Sequence, residues 1–344
     1  MLKLIEKIIS WLRGGSLKLL ILTGIILLMW GTLSPVGTLV WWLHQTSESL
    51  GLKKNRVKSL PSARNANSVS QSATINCYIV FLPGVGDFSA NQLTPGEEFF
   101  LSHLVKLHPN CVEVSDVFPY SVANESLGGR RLLAPLWRFA NQADGWLGSA
   151  DILIKIRNLW RFAISVDERY GPIYNKGIAT AIIDRMNAAN PLPTSPRKSL
   201  KIILIGTSGG AQVALGAAPY LKQWLGQRLN PRIVVVSVGG VFSGKDGFDV
   251  AKHVYHLQGR RDWIEDIGSI VFPSRWSWTV GSPFNQARRQ GDFTIQTIGP
   301  QAHDGPTGYF GEKLAKPNVT YVDLTLQAVN KLPIWSPASV SSGQ

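Results

Sequence analysis

Gly206-Thr207-Ser208-Gly209-Gly210 is the stretch of this chain whose residue types and spacing most directly imply chemistry. The apolar run Lys201–Ile205 (KIILI) leads into it, and a helix-like stretch, AQVALGAAPYLKQWL, follows. A serine at a sharp strand-to-helix turn is held in strained backbone that projects its hydroxyl. The flanking positions must be small because the strand and helix backbones crowd there. A helix beginning just beyond the serine also points its N-terminal N–H groups at developing negative charge. The implied chemistry is attack by the Ser208 hydroxyl on an acyl carbon. A Gly-rich structural turn is the plainer alternative.

Other constellations carry less. Residues 239–245 (GGVFSGK) fill the first seven places of a phosphate-binding loop after a strand-like run. Asp246 then stands where a Ser or Thr should hold Mg²⁺, and no helix clearly follows. His253 and His256 would pair on a helix, but in a strand they face opposite sides, which argues against a metal site. The segment Asp167–Pro172 reads as a structured turn into the next helix, its acids serving as caps or ion pairs. No metal and no cofactor is expected.

The elements that must position Ser208 follow from hydrophobic patterning. Strand-length apolar runs occur at Asn76–Leu82, Cys111–Phe118, Lys201–Ile205, Arg232–Val238, His253–Leu257 and Phe293–Ile298. Helix-like stretches, including Gly177–Ala189 and Gln212–Leu225, fall between several of them. This alternation predicts an α/β fold with a mostly parallel sheet covered by helices on both faces. Residues 119–170, rich in Trp, Phe and Arg, interrupt the pattern. They read either as a cap over the site or as ordinary sheet-covering structure.

With that arrangement the chain resembles the α/β-hydrolase superfamily over residues 76–332. The family carries a Gly-containing loop after an early strand, matched here by Leu82-Pro83-Gly84-Val85-Gly86-Asp87. The resemblance implies that Val85 or Gly84 supplies one backbone donor of an oxyanion hole and Gly209 the other. The family often places its acid in a G-x-x-D turn, matched by Gly259-Arg260-Arg261-Asp262, with Glu265 and Asp266 as nearby competitors. Of the six histidines, His303 follows that turn in a loop beyond the last strongly strand-like run. The order Ser208, Asp262, His303 matches the family order. Two departures stand out. About forty residues separate Asp262 from His303, and the family's first two, antiparallel strands are not evident in the sequence before Asn76.

Charge and hydropathy place the rest. Residues 1–64 hold nine of the 35 Lys/Arg and two of the 22 Asp/Glu, and so carry +7 of the net +13. Net basicity that belongs mainly to the flanks of an apolar run fits attraction to lipid better than nucleic acid, for which no motif is present. Leu19–Leu43 contains no charged residue. As a helix it would extend roughly 37 Å, against a hydrocarbon core about 30 Å thick. Trp30, Trp41 and Trp42 suit headgroup depth. A cleaved signal peptide is disfavoured by the length of the run and the lack of a small-residue cleavage site. Four Lys/Arg before the run and five after it leave its orientation open.

The organisation expected is a basic amphipathic N-terminus (1–18), a transmembrane helix (19–43) and a flexible linker (44–73). A hydrolase domain (74–332) with its cap-like insertion (119–170) and a flexible tail (333–344) complete the chain. The two cysteines, Cys77 and Cys111, begin strand-like runs. They read as buried thiols, with a single disulfide as the alternative in an oxidising compartment. The expected function is a membrane-anchored serine hydrolase acting on a carboxylic ester or thioester with an apolar, lipid-like acyl part. The rival readings are a peptidase or amidase with the same residues, and a non-catalytic hydrolase-like domain that binds a partner or lipid at the membrane.

Overall fold

The computed structural model describes residues 75–85, 93–120, 158–193 and 200–335, all within one compact unit, Gln71–Gln344. The strands of its main sheet are β1 (Cys77–Leu82), β2 (Cys111–Val114), β3 (Lys201–Thr207), β4 (Arg232–Val238), β5 (His253–Gly259) and β6 (Phe293–Gly299). They lie in the order β2-β1-β3-β4-β5-β6, and every neighbouring pair is parallel. The helices are α1 (Pro95–Leu107), α2 (Gly171–Ala189), α3 (Gly210–Leu229), α4 (Ile264–Val271), α5 (Pro283–Gln290) and α6 (Tyr321–Asn330). Residues 158–166 are also helical.

The sheet forms where the sequence has continuous apolar runs. β3 and β4 are buried along almost their whole length, as central parallel strands covered on both faces must be. Successive side chains point to opposite faces, which sorts them into two cores. Tyr78, Val80, Leu82, Ile202, Leu204 and Val235 pack with side chains of α2 and α3. Ile79, Phe81, Ile203, Ile205, Val234 and Val236 pack with side chains of α1 and α6. Each such aliphatic or aromatic side chain contributes about 1.5–3 kcal/mol relative to exposure.

Boundaries differ from the sequence expectation where local chemistry intervenes. β2 stops at Val114 rather than Phe118, and Asp116 beyond it pairs with Arg185 of α2 at 2.8 Å. α2 begins at Gly171 rather than Gly177, because Pro172 occupies the first turn, where proline lacks no needed N–H. Cys77 and Cys111 are joined in a disulfide and stand directly opposite each other across β1 and β2. This departs from the expectation of two free thiols; parallel register brings the two Cβ atoms together, which spacing in the sequence does not disclose. Residues 333–335, assigned by sequence to the tail, form a 3-10 turn, with the Trp335 ring stacked 3.7 Å from His108. Among the described residues no helix is long and apolar enough to cross a membrane. The expected span, 19–43, and the linker, 44–73, lie outside them.

From β1 the chain moves to one side to form β2, then returns to the other side of β1 to form β3. Connections therefore diverge at the carboxyl ends of β1 and β3, and an open α/β sheet binds ligands in the crevice at such a point.

Candidate active site

Ser208 stands at that switch point, one residue beyond β3. Its φ is 49°, the left-handed region that a non-glycine residue occupies only when its surroundings hold it there. The hold is visible. The Ser208 N–H donates to the Val238 carbonyl at 3.2 Å, and its carbonyl accepts from Val241 at 3.0 Å and Ala211 at 3.2 Å. The small flanking residues are required. A Cβ on Gly206 would lie 2.5 Å from Ala211 Cα, and one on Gly210 would lie 2.0 Å from the Leu82 carbonyl oxygen.

The three residues singled out by sequence converge. His303 Nε2 lies 2.9 Å from Ser208 Oγ. His303 Nδ1 lies 3.0 Å from Asp262 Oδ1 and 2.9 Å from Oδ2. The Asp262 side chain is fully buried and that of His303 is 8% exposed. Asp262 Oδ1 also accepts from the Ile264 N–H at 3.0 Å, at the start of α4, and Oδ2 from the Tyr309 hydroxyl at 2.7 Å. Burial alone would raise the Asp262 carboxyl. The hydrogen bond and charge of His303, together with the Tyr309 and Ile264 donors, more than offset it and hold the group below the ordinary carboxylate range.

The acid turn and the histidine loop are fastened to each other. Arg260 N–H donates to Gly299, Arg261 N–H to Gln301, and Asp262 N–H back to Gly259. The Arg261 guanidinium binds the Pro300 carbonyl at 2.5 Å and the Tyr321 hydroxyl at 2.8 Å. Gly259 permits this approach, since a Cβ there would lie 2.4 Å from the Gln301 carbonyl oxygen. The long interval between Asp262 and His303 is occupied by α4, α5 and β6.

Glu265, a competitor for the acid role, is engaged elsewhere. Its carboxylate lies 2.5 Å from His256 Nε2, whose Nδ1 lies 2.9 Å from Ser237 Oγ. This second Ser–His–carboxylate line has no exposed member: Ser237 and His256 are fully buried and Glu265 is 5% exposed. It ties β4, β5 and α4 together and offers nothing to a substrate. Asp266 is exposed. His253 bonds Thr294 at 3.0 Å, Asp167 pairs with Arg169 at 3.0 Å, and Lys245 pairs with Glu168.

Gly84 abuts Ser208: a Cβ on it would lie 2.9 Å from Ser208 Cβ and 3.6 Å from its Oγ. A Cβ on Gly209 would meet Val85, Tyr120 and Phe162 within 3.0 Å. The described ends of the 119–170 insertion thus reach the site. Tyr120 donates to the Gly209 carbonyl at 2.9 Å, Asn158 to the Val85 carbonyl at 2.9 Å, and Arg161 to the Tyr120 carbonyl. Phe162 faces Phe272 at 6.3 Å. Residues 121–157 and 86–92, including Gly86 and Asp87, lie outside the described set. Sequence reasoning did not find Tyr309, Tyr120, Asn158 or Phe162. None sits in a local motif, and all four reach the site only through tertiary packing. Among the described residues no cluster of three or more His, Cys, Asp or Glu is arranged to hold a metal ion.

A scan against protein-family models finds none that matches this chain, and a search of curated proteins finds no match.

Proposed function

We propose that this chain is a serine hydrolase of the α/β-hydrolase superfamily that cleaves a carboxylic ester or thioester through an acyl-enzyme on Ser208. The observation that carries the reading is the continuous hydroxyl–imidazole–carboxylate line, 2.9 Å from Ser208 Oγ to His303 Nε2 with Asp262 on the far nitrogen. Both contacts are within proton-transfer reach. The order of these residues along the chain and the elbow after β3 support the same superfamily.

In this reading Ser208 Oγ attacks the acyl carbon as its proton passes to His303 Nε2. Asp262 orients the ring and stabilises the imidazolium. Gly209 and the Gly84–Val85 turn supply backbone N–H groups to the oxyanion, each worth about 10²–10³ in rate. Collapse breaks the bond to the alcohol or thiol, which leaves with the proton from Nε2. Water then attacks the acyl-serine, giving its proton to the same nitrogen. The carboxylic acid departs and Ser208 recovers its proton. Val85, Phe162 and Phe272 offer apolar surface beside the elbow, which suits an apolar acyl group. The basic flanks of Leu19–Leu43 suit an enzyme working at a membrane surface on lipid-like substrates.

The test is pre-steady-state hydrolysis of p-nitrophenyl acyl esters of graded chain length by the full chain. A stoichiometric burst of nitrophenolate followed by slower turnover is expected. Absence of turnover at every chain length would favour the non-catalytic reading.

A further inference from the structure

Tyr309 is one of the largest enclosed side chains among the described residues, 2% exposed, and among those residues its phenol is hydrogen-bonded within the acid turn. Its oxygen accepts from the Gly259 N–H at 2.8 Å and its O–H donates to Asp262 Oδ2 at 2.7 Å. Because Gly259 supplies a proton to that oxygen, the phenol's own proton is directed at the carboxylate. Gly259 and Asp262 are the first and last residues of the turn, itself closed by the 3.0 Å bond from Asp262 N–H to the Gly259 carbonyl. The ring is equally constrained. A Cβ on Gly239, which has φ +53°, would fall 2.2 Å from Tyr309 Cε2. The ring edge meets the His303 imidazole at 6.5 Å between centroids. Thr325 Oγ1 pins the backbone at 2.7 Å from the Tyr309 carbonyl.

A phenylalanine would fill this space. A buried hydroxyl is unfavourable unless it is fully paired, and both partners of this one belong to the turn that presents the acid. We propose that Tyr309 is a positioning residue for the hydrolytic reaction, acting through Asp262 to set the orientation and the basicity of the imidazole. The inference rests on the reading of Ser208, Asp262 and His303 given above. The donated proton draws charge from Oδ2 while leaving both oxygens facing His303 Nδ1. A less neutralised carboxylate would hold the imidazolium more tightly and remove the neutral base that Ser208 needs. The other acids close by are Glu265 and Asp266 of α4 and the exposed Asp304, next to His303 in the chain. Glu265 is tied to His256, and among the described residues Tyr309 is the side-chain donor to Asp262 besides the imidazole itself.

The experiment uses the full chain labelled with ¹⁵N-histidine, in which the imidazole of His303 is assigned by its loss in His303→Gln. Its titration is followed in the wild type, in Tyr309→Phe and in a chain carrying 3-fluorotyrosine at 309, whose O–H is a stronger donor. The midpoint is expected to move to higher pH in Tyr309→Phe and to lower pH with fluorotyrosine. In parallel, the acid limb of kcat/KM should move the same way. At neutral pH kcat of Tyr309→Phe should fall about 10- to 100-fold, the range for losing a hydrogen bond to a charged group, with KM little changed. A space-filling role alone would leave both midpoints in place, and that result would overturn the proposal. If Tyr309→Phe fails to fold, the fluorotyrosine chain decides alone, because it preserves the ring and hydroxyl. A wild-type chain without esterase turnover would instead defeat the hydrolase reading, while the titration still decides whether Tyr309 sets the basicity of the His303 imidazole.

Discussion

Asp262 is held ionised by its neighbours rather than by water, and this fixes what its replacement should do. In Asp262→Asn an amide is placed against His303 Nδ1. An amide N–H there would force the proton onto Nε2, where it opposes the Ser208 hydroxyl, and kcat should fall by about 10⁴ with little change in KM. A fall below tenfold in steady-state hydrolysis would remove Asp262 from its assigned role. The sign of its pH linkage follows from a depressed carboxyl. The stability it contributes is present above its unfolded value, about 3.9, and is lost only as pH falls through the lower folded value. The acid limb of kcat/KM should therefore report one proton, taken up by the imidazole, with Asp262 still charged. Ser208 was legible from its glycine frame, and Asp262 and His303 from their order after it. The Gly84–Val85 loop was legible as a position, whereas Tyr309 was not. Its value depends on a glycine seventy residues upstream and on a turn it clamps from outside, and no local pattern marks either.

The elbow works only because β3 and α3 cross with no side chain between them, and two glycines separate that effect from ordinary helix propensity. Gly206→Ala places a methyl 2.5 Å from the Ala211 backbone and should destabilise by about 3 kcal/mol or more, the upper range for overpacking. Gly226→Ala, within α3, meets nothing within 4 Å and should stabilise by about 1 kcal/mol. Urea midpoints at constant m-value read both; equal effects would mean that the crossing is looser than described. At this scale the sequence was informative where burial dictates composition. The runs KIILI and RIVVVSV read as strands because both their faces are covered. It was less informative at element ends, as at β2, which stops short of Asp116, or at α2, which starts six residues early with Pro172 in its first turn. The 119–170 insertion stayed ambiguous because its contacts at Val85 and Gly209 come from residues with no periodic signature.

For the whole molecule, the Cys77–Cys111 disulfide joins two strands whose cysteines are 34 residues apart in the chain. Closing a loop of that size contributes about 3–4 kcal/mol by the chain-entropy estimate, and such bonds persist in oxidising compartments. In denaturant without reductant the full chain should take up no alkylating label at cysteine, and two labels after reduction; two labels without reductant would show free thiols. The sequence left this pairing open because it is created by parallel register between β1 and β2, not by spacing. The central claim, that Ser208 is an activated nucleophile, is reached most directly by treating the intact chain with a fluorophosphonate and locating the adduct by mass spectrometry. One phosphonyl group on Ser208, absent in both Ser208→Ala and His303→Ala, is the predicted result. Undiminished labelling of Ser208→Ala, or an adduct on another serine, would contradict it.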